Sequence, residues 1–259
     1  LTDAIEIAYH EGLETMSYSA SEAEIFGVNS KKDLAEAEKI NRKNIADELM
    51  DNGVTVIDPD RIDVRGTLTC GQNVTIDVNT VFLGDVRLGD GVTIAPFTVI
   101  SNSTIGDETN VYSHSNIEEA DIGSKCNIGP FARIRPQTKL EEGAKVGNFV
   151  ETKKSVIGKG SKVSHLTYVG DAIIGENTNI GAGTITCNYD GVNKHQTKIG
   201  DEVFIGSGVE LVAPIEVENG ATVAAGSTVS KRVPADKLTI ERSKQKTIDG
   251  WKKPTKKGE

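Results

Sequence analysis

Two cations and a histidine are the residues of this chain best suited to chemistry. Arg135 and Lys153 are separated by three hexapeptides, which make one full coil of a fold built from six-residue units. Adjacent strands of a sheet lie about 5 Å apart, so we expect the two cations to stack. Stacked cations repel each other unless an anion bridges them, and a guanidinium fork beside an ammonium group suits a phosphate or a carboxylate. The alternative is a pair of solvated surface charges.

His165 is the candidate general base. It follows Lys153 by two hexapeptides, and we expect it on the next coil, beside the cation pair. Imidazole gains and loses a proton near neutral pH, so it can take a proton from an amine that attacks a carbonyl carbon. The alternative for a single histidine is a structural or merely exposed role.

A six-residue repeat is the element that must position these side chains. Apolar residues recur at every sixth position, and glycine often follows them. The repeat comprises Cys70, Ile76, Phe82, Leu88, Ile94 and Ile100, then Ile122, Ile128, Ile134, Leu140 and Val146, then Ile174 and Ile180, and finally Ile199, Ile205, Leu211, Val217, Val223 and Val229. Such a period predicts a parallel β-helix, in which the apolar residue points inwards and a small residue allows the corner to turn.

Segments outside the repeat complete the predicted architecture. Residues 2–12 are expected to form a short helix, and residues 30–50 a longer amphipathic helix that Ser30 caps. The repeat itself spans about 61–232. A capping strand and a basic tail follow at 233–259.

A loop interrupts the repeat at residues 187–195. Loops that leave a regular scaffold are where function concentrates, so we expect this loop to belong to a site. The flat faces of a three-sided prism usually pack on symmetry mates, and closed three-fold symmetry suits that shape.

Charge and cysteine content limit the functional classes. The net charge of −9 argues against nucleic-acid binding along the whole chain. Residues 242–259 carry a net charge of +5 and are either a solvated end or a clamp for an anionic ligand. The three cysteines show no ligand spacing, so we expect neither a disulfide framework nor a zinc site. From this cysteine usage we expect a cytoplasmic protein. We also expect no membrane span, because no apolar run approaches about 18 residues.

Four segments carry a resemblance to a known family. They are GPFARIRP at 129–136, VGNFVE at 146–151, HLTYVGD at 165–171 and NIGAGTITCNYDG at 179–191. These segments resemble the bacterial GlmU family, whose members combine glucosamine-1-phosphate N-acetyltransferase and N-acetylglucosamine-1-phosphate uridyltransferase activities. The resemblance covers essentially the whole chain. It implies a mainly β fold, a left-handed parallel β-helix preceded by a short helical segment, and a homotrimer with acetyltransferase sites between its subunits.

The resemblance also implies a role for each residue of the site. His165 would be the general base, and Lys194 would reach the site of a neighbouring subunit. The residues that would hold the substrate are Arg135 and Lys153 at its phosphate, with Tyr168, Asn179 and Glu151 at the amino sugar. The residues that would line the site of the co-substrate acetyl-CoA are Ala182, Asn188, Tyr189, Ser207, Ala225 and Arg242.

The implied reaction is acetyl transfer from acetyl-CoA to the amine of glucosamine 1-phosphate. The product, N-acetylglucosamine 1-phosphate, would serve the synthesis of UDP-N-acetylglucosamine and cell-wall precursors. No metal is needed for this step, and the expected partners are small molecules and further copies of the chain.

The departure from the family lies in its uridyltransferase half. Residues 1–29 resemble a remnant of the uridyltransferase domain and residues 30–60 a helical linker, but the Gly-rich nucleotide loop, the lysine and the magnesium-binding aspartate of that domain are missing. Asn29 would be a second magnesium ligand, and one asparagine cannot build an octahedral site. We therefore expect no uridyltransferase activity and a need for magnesium only in the missing half. Because the chain begins without methionine, we expect it to be a piece of a longer protein.

Two other classes remain open. One is a different hexapeptide acyltransferase, acting on another amino sugar, on serine or on a nucleotide-linked sugar. The stacking of Arg135 on Lys153 argues against this class because it requires a phosphate near the amine. The second is a non-enzymatic β-helix, such as a scaffold or a carbonic-anhydrase-like shell. A metal-binding relative would need several histidines between adjacent coils, and His165 and His195 lack that spacing.

Overall fold

The structure is a computed structural model that describes residues 2–21 and 24–254. It divides into two compact units, Leu1–Ile45 and Ala46–Glu259, and the boundary falls within the second helix. The first helix is α1 (Thr2–His10) and the second is α2 (Lys31–Asp51).

Ser30 caps α2 as the sequence predicts. Its Oγ accepts a hydrogen bond from the backbone N–H of Asp33 at 3.1 Å, and an Asp33 carboxylate oxygen accepts from the N–H of Asn29 at 3.0 Å. These two bonds satisfy amides at the helix start that have no partner within the helix. The Asn29 amide and the Ser30 hydroxyl also lower the pKa of the Asp33 carboxyl.

Short parallel strands build the rest of the described chain. A 3₁₀ turn at Pro59–Arg61 lies between the first two. The strands are β1 (Thr55–Val56), β2 (Ile62–Cys70), β3 (Thr75–Ile76), β4 (Thr80–Leu88), β5 (Thr93–Ile94), β6 (Val99–Ser101), β7 (Thr104–Ile105), β8 (Asn110–Val111), β9 (Asn116–Glu118), β10 (Asp121–Ile122), β11 (Asn127–Ile128), β12 (Arg133–Ile134), β13 (Lys139–Leu140), β14 (Lys145–Asn148), β15 (Glu151–Lys153), β16 (Val156–Ile157), β17 (Lys162–His165), β18 (Tyr168–Gly170), β19 (Ala172–Ile174), β20 (Asn179–Ile180), β21 (Ile185–Cys187), β22 (Thr197–Ile199), β23 (Phe204–Ile205), β24 (Glu210–Val212), β25 (Ile215–Val217), β26 (Thr222–Val223), β27 (Thr228–Val229) and β28 (Leu238–Thr239).

The strands stack on three faces of a prism. Face 1 consists of β1, β3, β5, β8, β11, β14, β17, β20, β23, β26 and β28. Face 2 begins with the first halves of β2 and β4 and continues through β6, β9, β12, β15, β18, β21, β24 and β27. Face 3 begins with the second halves of β2 and β4 and continues through β7, β10, β13, β16, β19, β22 and β25. This is the parallel β-helix that the six-residue repeat predicts.

The predicted apolar positions form the interior of the prism. Ile76, Ile94, Ile128 and Ile134, for example, have no exposed surface. Each buried side chain stacks on its counterpart in the next coil, and this removal of apolar surface from water is the main stabilising term. The pairing extends slightly beyond 61–232, because Thr55 already pairs with Thr75 and Thr222 still pairs with Leu238.

The corners turn through residues in the left-handed backbone region. Where face 1 meets face 2, Phe97, His114, Phe131 and Phe149 take φ values of 55–61° on successive coils. Their rings stack with centroid separations of 4.9, 4.8 and 5.4 Å. Ring stacking between coils offsets the cost of a positive φ in these bulky residues. The corner between face 1 and face 2 is called the stacked corner below.

Candidate active site

The two predicted cations follow each other on face 2. Arg133 pairs with Glu151 and Ile134 with Thr152, and the Arg135 amide donates to the Thr152 carbonyl at 2.9 Å. This register places Arg135 next to Lys153, as their spacing of three hexapeptides predicts. Both cations lie at the end of face 2 that adjoins face 3.

Arg135 forms an ion pair with Glu151, which the sequence did not predict. An Arg135 guanidinium nitrogen, Nη1, lies 2.7 Å from Oε1 of Glu151, and each side chain is about one third exposed (31% and 35%). Lys153 has no ion-pair partner within residues 2–21 and 24–254. Glu151 therefore neutralises one cation of the pair, and the charge of Lys153 is not matched by an ion pair among the described residues.

His165 lies at the stacked corner, not beside Lys153. A step of two hexapeptides is two thirds of a coil, so it carries the chain from the end of face 2 to the end of face 1. There, His165 pairs in register with Asn148, while Lys153 pairs with Gly170 at the far end of face 2. Nδ1 of the exposed His165 ring lies 2.8 Å from Oδ1 of Asn148. The expected contact between His165 and the cations is absent from the described residues, and face 2 separates them.

Beyond His165, several of the residues predicted to bind acetyl-CoA lie one above the other along the stacked corner, on successive coils. In this column each carbonyl accepts a hydrogen bond from the corner residue of the next coil: Asn148 from Leu166, His165 from Gly183, Ala182 from Gly208 and Ser207 from Gly226. The carbonyl of Ala225, which comes next, accepts from Nη1 of Arg242 at 2.9 Å. His165, Ala182, Ser207, Ala225 and Arg242 therefore form one edge of the prism.

Tyr168 and Asn179 lie on the two faces that meet at this edge. Tyr168 pairs with Glu151 of the preceding coil on face 2. Asn179 lies between Lys162 and Phe204 on face 1. Two of the three predicted amino-sugar residues, Tyr168 and Asn179, thus lie on either side of the corner that carries His165. Among the described residues, neither side chain forms a hydrogen bond with His165.

The loop between Cys187 and Thr197 leaves the prism where face 2 meets face 3. An antiparallel bridge joins Tyr189 to Lys194, and the Lys194 ammonium lies 4.4 Å from the centre of the Tyr189 ring. Asp190 closes the loop by accepting from the amides of Asn193 and Val192 at 2.7 and 2.8 Å. These amides, together with the ring of His195 2.7 Å away, lower the pKa of Asp190 well below its ordinary value.

Asn188, at the base of the loop, is 5% exposed. Its Nδ2 donates to Oδ2 of Asp171 at 2.7 Å. A cleft of about 320 Å³ lies beside this contact and is lined in part by Lys154, Lys194 and His195. The sequence does not single out Asp171, because a period of six does not specify which side chains of adjacent coils form a hydrogen bond.

The predicted magnesium ligand Asn29 precedes α2, and its backbone N–H donates to an Asp33 carboxylate oxygen. In the part of the chain that the structure describes, no three His, Cys, Asp or Glu residues are grouped so that they could hold a metal ion. Neither of the described helices has the length and apolar character of a membrane-spanning segment.

Comparison with known proteins gives one consistent family. The model of the bacterial transferase hexapeptide family (six repeats) matches residues 68–102 and 196–231. A bifunctional GlmU protein of Janthinobacterium sp. (strain Marseille) is 56% identical over 257 residues, covering 99% of this chain and 57% of that protein. The GlmU protein of Herminiimonas arsenicoxydans is 52% identical with the same coverage. The chain therefore spans a little over half the length of the curated relatives it matches.

Solved structures support the fold alone. The UDP-N-acetylglucosamine acyltransferase of Arabidopsis matches with a TM-score of 0.54 and 14% identity, over 70% of this chain and 69% of that chain. The enzyme of the same name from Francisella novicida matches with a TM-score of 0.54 and 19% identity, over 69% and 66% of the two chains. Both support the hexapeptide β-helix. On sequence similarity over nearly its whole length, the chain belongs to the GlmU family and corresponds to its C-terminal part.

Proposed function

We propose that this chain transfers the acetyl group of acetyl-CoA to the amine of glucosamine 1-phosphate. The observation that carries the proposal is the single edge that His165 shares with Ala182, Ser207, Ala225 and Arg242. A cofactor that lies along this edge would place its acetyl group near His165 and its phosphates near Arg242 and the basic tail. Membership of the GlmU family supports the same reaction.

The substrate would lie across face 2. Its phosphate would bind Lys153 and Arg135, and its amine would point towards His165 at the stacked corner. Tyr168 lies on face 2 between these two ends and pairs with Glu151, which supports a contact of both residues with the sugar. Asn179 would contact the sugar from face 1.

In the proposed reaction, His165 takes a proton from the amine as nitrogen attacks the acetyl carbonyl carbon. The C–N bond forms, the C–S bond breaks, and the proton that His165 took passes to the sulfur, so that CoA leaves as a thiol. The tetrahedral oxyanion needs a donor. The Ala182 amide is such a donor, because it has no hydrogen-bond partner among the described residues and adjoins His165 on the edge.

The proposed enzyme is a homotrimer with shared sites. Lys194 leaves the prism at the corner between faces 2 and 3, whereas His165 lies at the other end of face 2. A site that uses both residues is most directly built between neighbouring chains, and closed three-fold symmetry suits a three-sided prism. Much of the rate would then come from holding two substrates in position. The division into residues 1–29, 30–60, 61–232 and 233–259, the cytoplasmic location and the lack of uridyltransferase activity remain predictions.

The test is release of free thiol from acetyl-CoA in the presence of glucosamine 1-phosphate. N-acetylglucosamine 1-phosphate, whose amine is blocked, is the matched control substrate, and glucosamine 6-phosphate tests the position of the phosphate. His10→Ala, in α1, is a control for the variant His165→Ala. Thiol release that needs the free amine and the 1-phosphate supports the proposal. Equal release with the blocked substrate, or none with glucosamine 1-phosphate, contradicts it.

A further inference from the structure

Gly170 occupies a position where the backbone does not require glycine. Its φ is not positive, so another residue could adopt the conformation. A Cβ atom at this position, however, would lie 2.4 Å from the hydroxyl oxygen of Tyr168 and 2.7 Å from Nδ2 of Asn188. The space that a side chain would fill is occupied by Tyr168, from the proposed amino-sugar site, and by Asn188, from the proposed acetyl-CoA site.

Asp171, the next residue, orients the Asn188 amide. The Asp171 side chain is 12% exposed; its Oδ2 accepts from Asn188 Nδ2 at 2.7 Å and its Oδ1 lies 3.4 Å from the Lys154 ammonium. A carboxylate accepts hydrogen bonds and an amide NH₂ donates them, so this contact determines which end of the Asn188 amide faces Asp171. The amide oxygen of Asn188 is then left as an acceptor on the opposite side.

Hydrogen bonds of their backbone groups hold Gly170 and Asn188 in place. The hydroxyl of the buried Thr186 accepts from the Gly170 amide at 2.8 Å. The carbonyl of Asn188 accepts from the His195 amide at 2.8 Å, so an Asn188 held by Asp171 also anchors the base of the loop. The unit Gly170–Asp171 thus connects face 2, the loop and two proposed ligand-binding side chains.

We propose that Gly170 and Asp171 are positioning residues that hold the Asn188 amide beside the Tyr168 hydroxyl and so fix the acetyl-CoA and amino-sugar halves of the site relative to each other. Neither residue touches the reacting atoms; both act through Asn188 and Tyr168. The inference rests on the proposed acetyl transfer and assigns two further residues to it.

Three variants separate the hydrogen bond to Asn188 from the ion pair to Lys154. Asp171→Ala removes both, and Asp171→Asn keeps an amide oxygen that can accept from Asn188. Lys154→Met removes the ion pair alone. We expect Asp171→Ala to raise the KM for acetyl-CoA about tenfold with a smaller change in kcat, because a hydrogen bond to a charged acceptor is lost. Asp171→Asn and Lys154→Met should each stay within about threefold of the parent protein, since the ion pair is 3.4 Å long and its lysine is 62% exposed, so it contributes little.

A double variant tests whether Asp171 acts through Asn188. If it does, Asp171→Ala should add nothing to the KM increase of Asn188→Ala. Additive increases, an unchanged KM in Asp171→Ala, or an equal increase in Lys154→Met would each overturn the assignment of Asp171. If Asp171→Ala fails to fold, the cycle is measured with Asp171→Gly, which also lacks an acceptor and tolerates the φ of 48° at this position.

Gly170→Ala has a matched control elsewhere on the prism. A Cβ at Gly89 would lie 2.2 Å from Oδ1 of Asp107, which is a similar close approach far from the site. We expect both variants to lower Tm, but only Gly170→Ala to raise the KM values of both substrates. A Gly170→Ala protein with unchanged KM values would overturn its part of the proposal.

Equilibrium binding of CoA, measured by calorimetry, distinguishes this inference from the proposed function. If the parent protein binds CoA but releases no thiol, the proposed reaction is wrong, and about tenfold weaker binding by Asp171→Ala still supports positioning of Asn188. If the parent protein is active and Asp171→Ala binds CoA equally well, the inference alone is wrong. A parent protein that does not bind CoA overturns both.

Discussion

Nδ1 of His165 lies 2.8 Å from Oδ1 of Asn148, the residue directly opposite it on the preceding coil. An amide oxygen only accepts hydrogen bonds, so Nδ1 must carry the ring proton. The other ring nitrogen, Nε2, is then unprotonated in the neutral imidazole and directed away from Asn148. In the proposed reaction, this contact would set the tautomer of His165 before the substrate arrives.

Replacement of His165 tests the base. We expect His165→Ala to lower kcat by about 10²–10⁴, the usual contribution of general-base catalysis, with little change in acetyl-CoA affinity. Asn148→Ala should lower kcat by about tenfold, since it removes the hydrogen bond that selects the tautomer. The double variant should be no slower than His165→Ala, because Asn148 acts through His165. Near-normal turnover in His165→Ala would remove this residue from the mechanism.

Replacing Arg135 should affect substrate binding, whereas loss of its ion pair with Glu151 should hardly affect stability. Both side chains are about one third exposed, so the pair contributes at most about 1 kcal/mol to stability, and Glu151→Gln should hardly change Tm. Arg135→Ala should raise the KM for glucosamine 1-phosphate about 10–100-fold, because a charge-assisted contact to the phosphate is lost. Arg133→Ala, on the same strand, is the control. Equal KM values for the two arginine variants would argue against a phosphate site at Arg135.

The position of Lys194 predicts complementation between subunits. The protein should sediment as a trimer of 27.6 kDa chains. His165→Ala and Lys194→Ala should each be impaired alone, and mixed trimers should regain activity because some sites then contain both intact residues. Fluorescent labels on the two variants would establish that subunits exchange. Exchange without recovered activity would show that each site lies within one chain.

Arg242 predicts a contact with the phosphates of CoA. Its guanidinium is held at the end of the His165 edge by the Ala225 carbonyl. Arg242→Ala should raise the KM for acetyl-CoA about 10–100-fold and change the KM for the sugar less. Deletion of residues 243–259, the last five of which lie outside the described residues, should add a further loss at low salt that disappears at high salt. If the deletion leaves the acetyl-CoA KM unchanged at low salt, the tail is a solvated end that does not bind CoA.

The loop around Asp190 predicts a dependence of local order on pH. The amide of Asn193, then the ring of His195 and the amide of Val192, lower the pKa of Asp190 from its ordinary value of 3.8. A carboxylate with a lowered pKa stabilises the loop fully above that ordinary value, and the contribution is lost as the pH falls through the lowered one. Hydrogen exchange should therefore show the amides of Val192 and Asn193 protected at neutral pH and still protected at pH 3.8. Asp190→Asn should remove this protection and Asp85→Asn should not. Equal exchange in both variants would contradict the role of Asp190.

The order of residues along the chain was enough to determine the fold and part of the site. A six-residue period states which side chains point inwards, and three such units state which residues lie one above the other. For this reason the β-helix, the stacking of Arg135 on Lys153 and the extruded loop were predicted correctly. The cap of α2 by Ser30 was equally predictable, because its contacts are local.

Only the tertiary structure decided the partners of the site residues. Arg133 pairs with Glu151 and Glu151 with Tyr168, so the second of these coils is shorter than the first by a single residue, and such a change shifts every later contact. Whether Arg135 reaches Glu151, His165 reaches Asn148 or Asp171 reaches Asn188 depends on these corner lengths and on side-chain rotamers. A period of six specifies neither the corner lengths nor the rotamers. The side-chain contacts between coils therefore follow only from the folded structure.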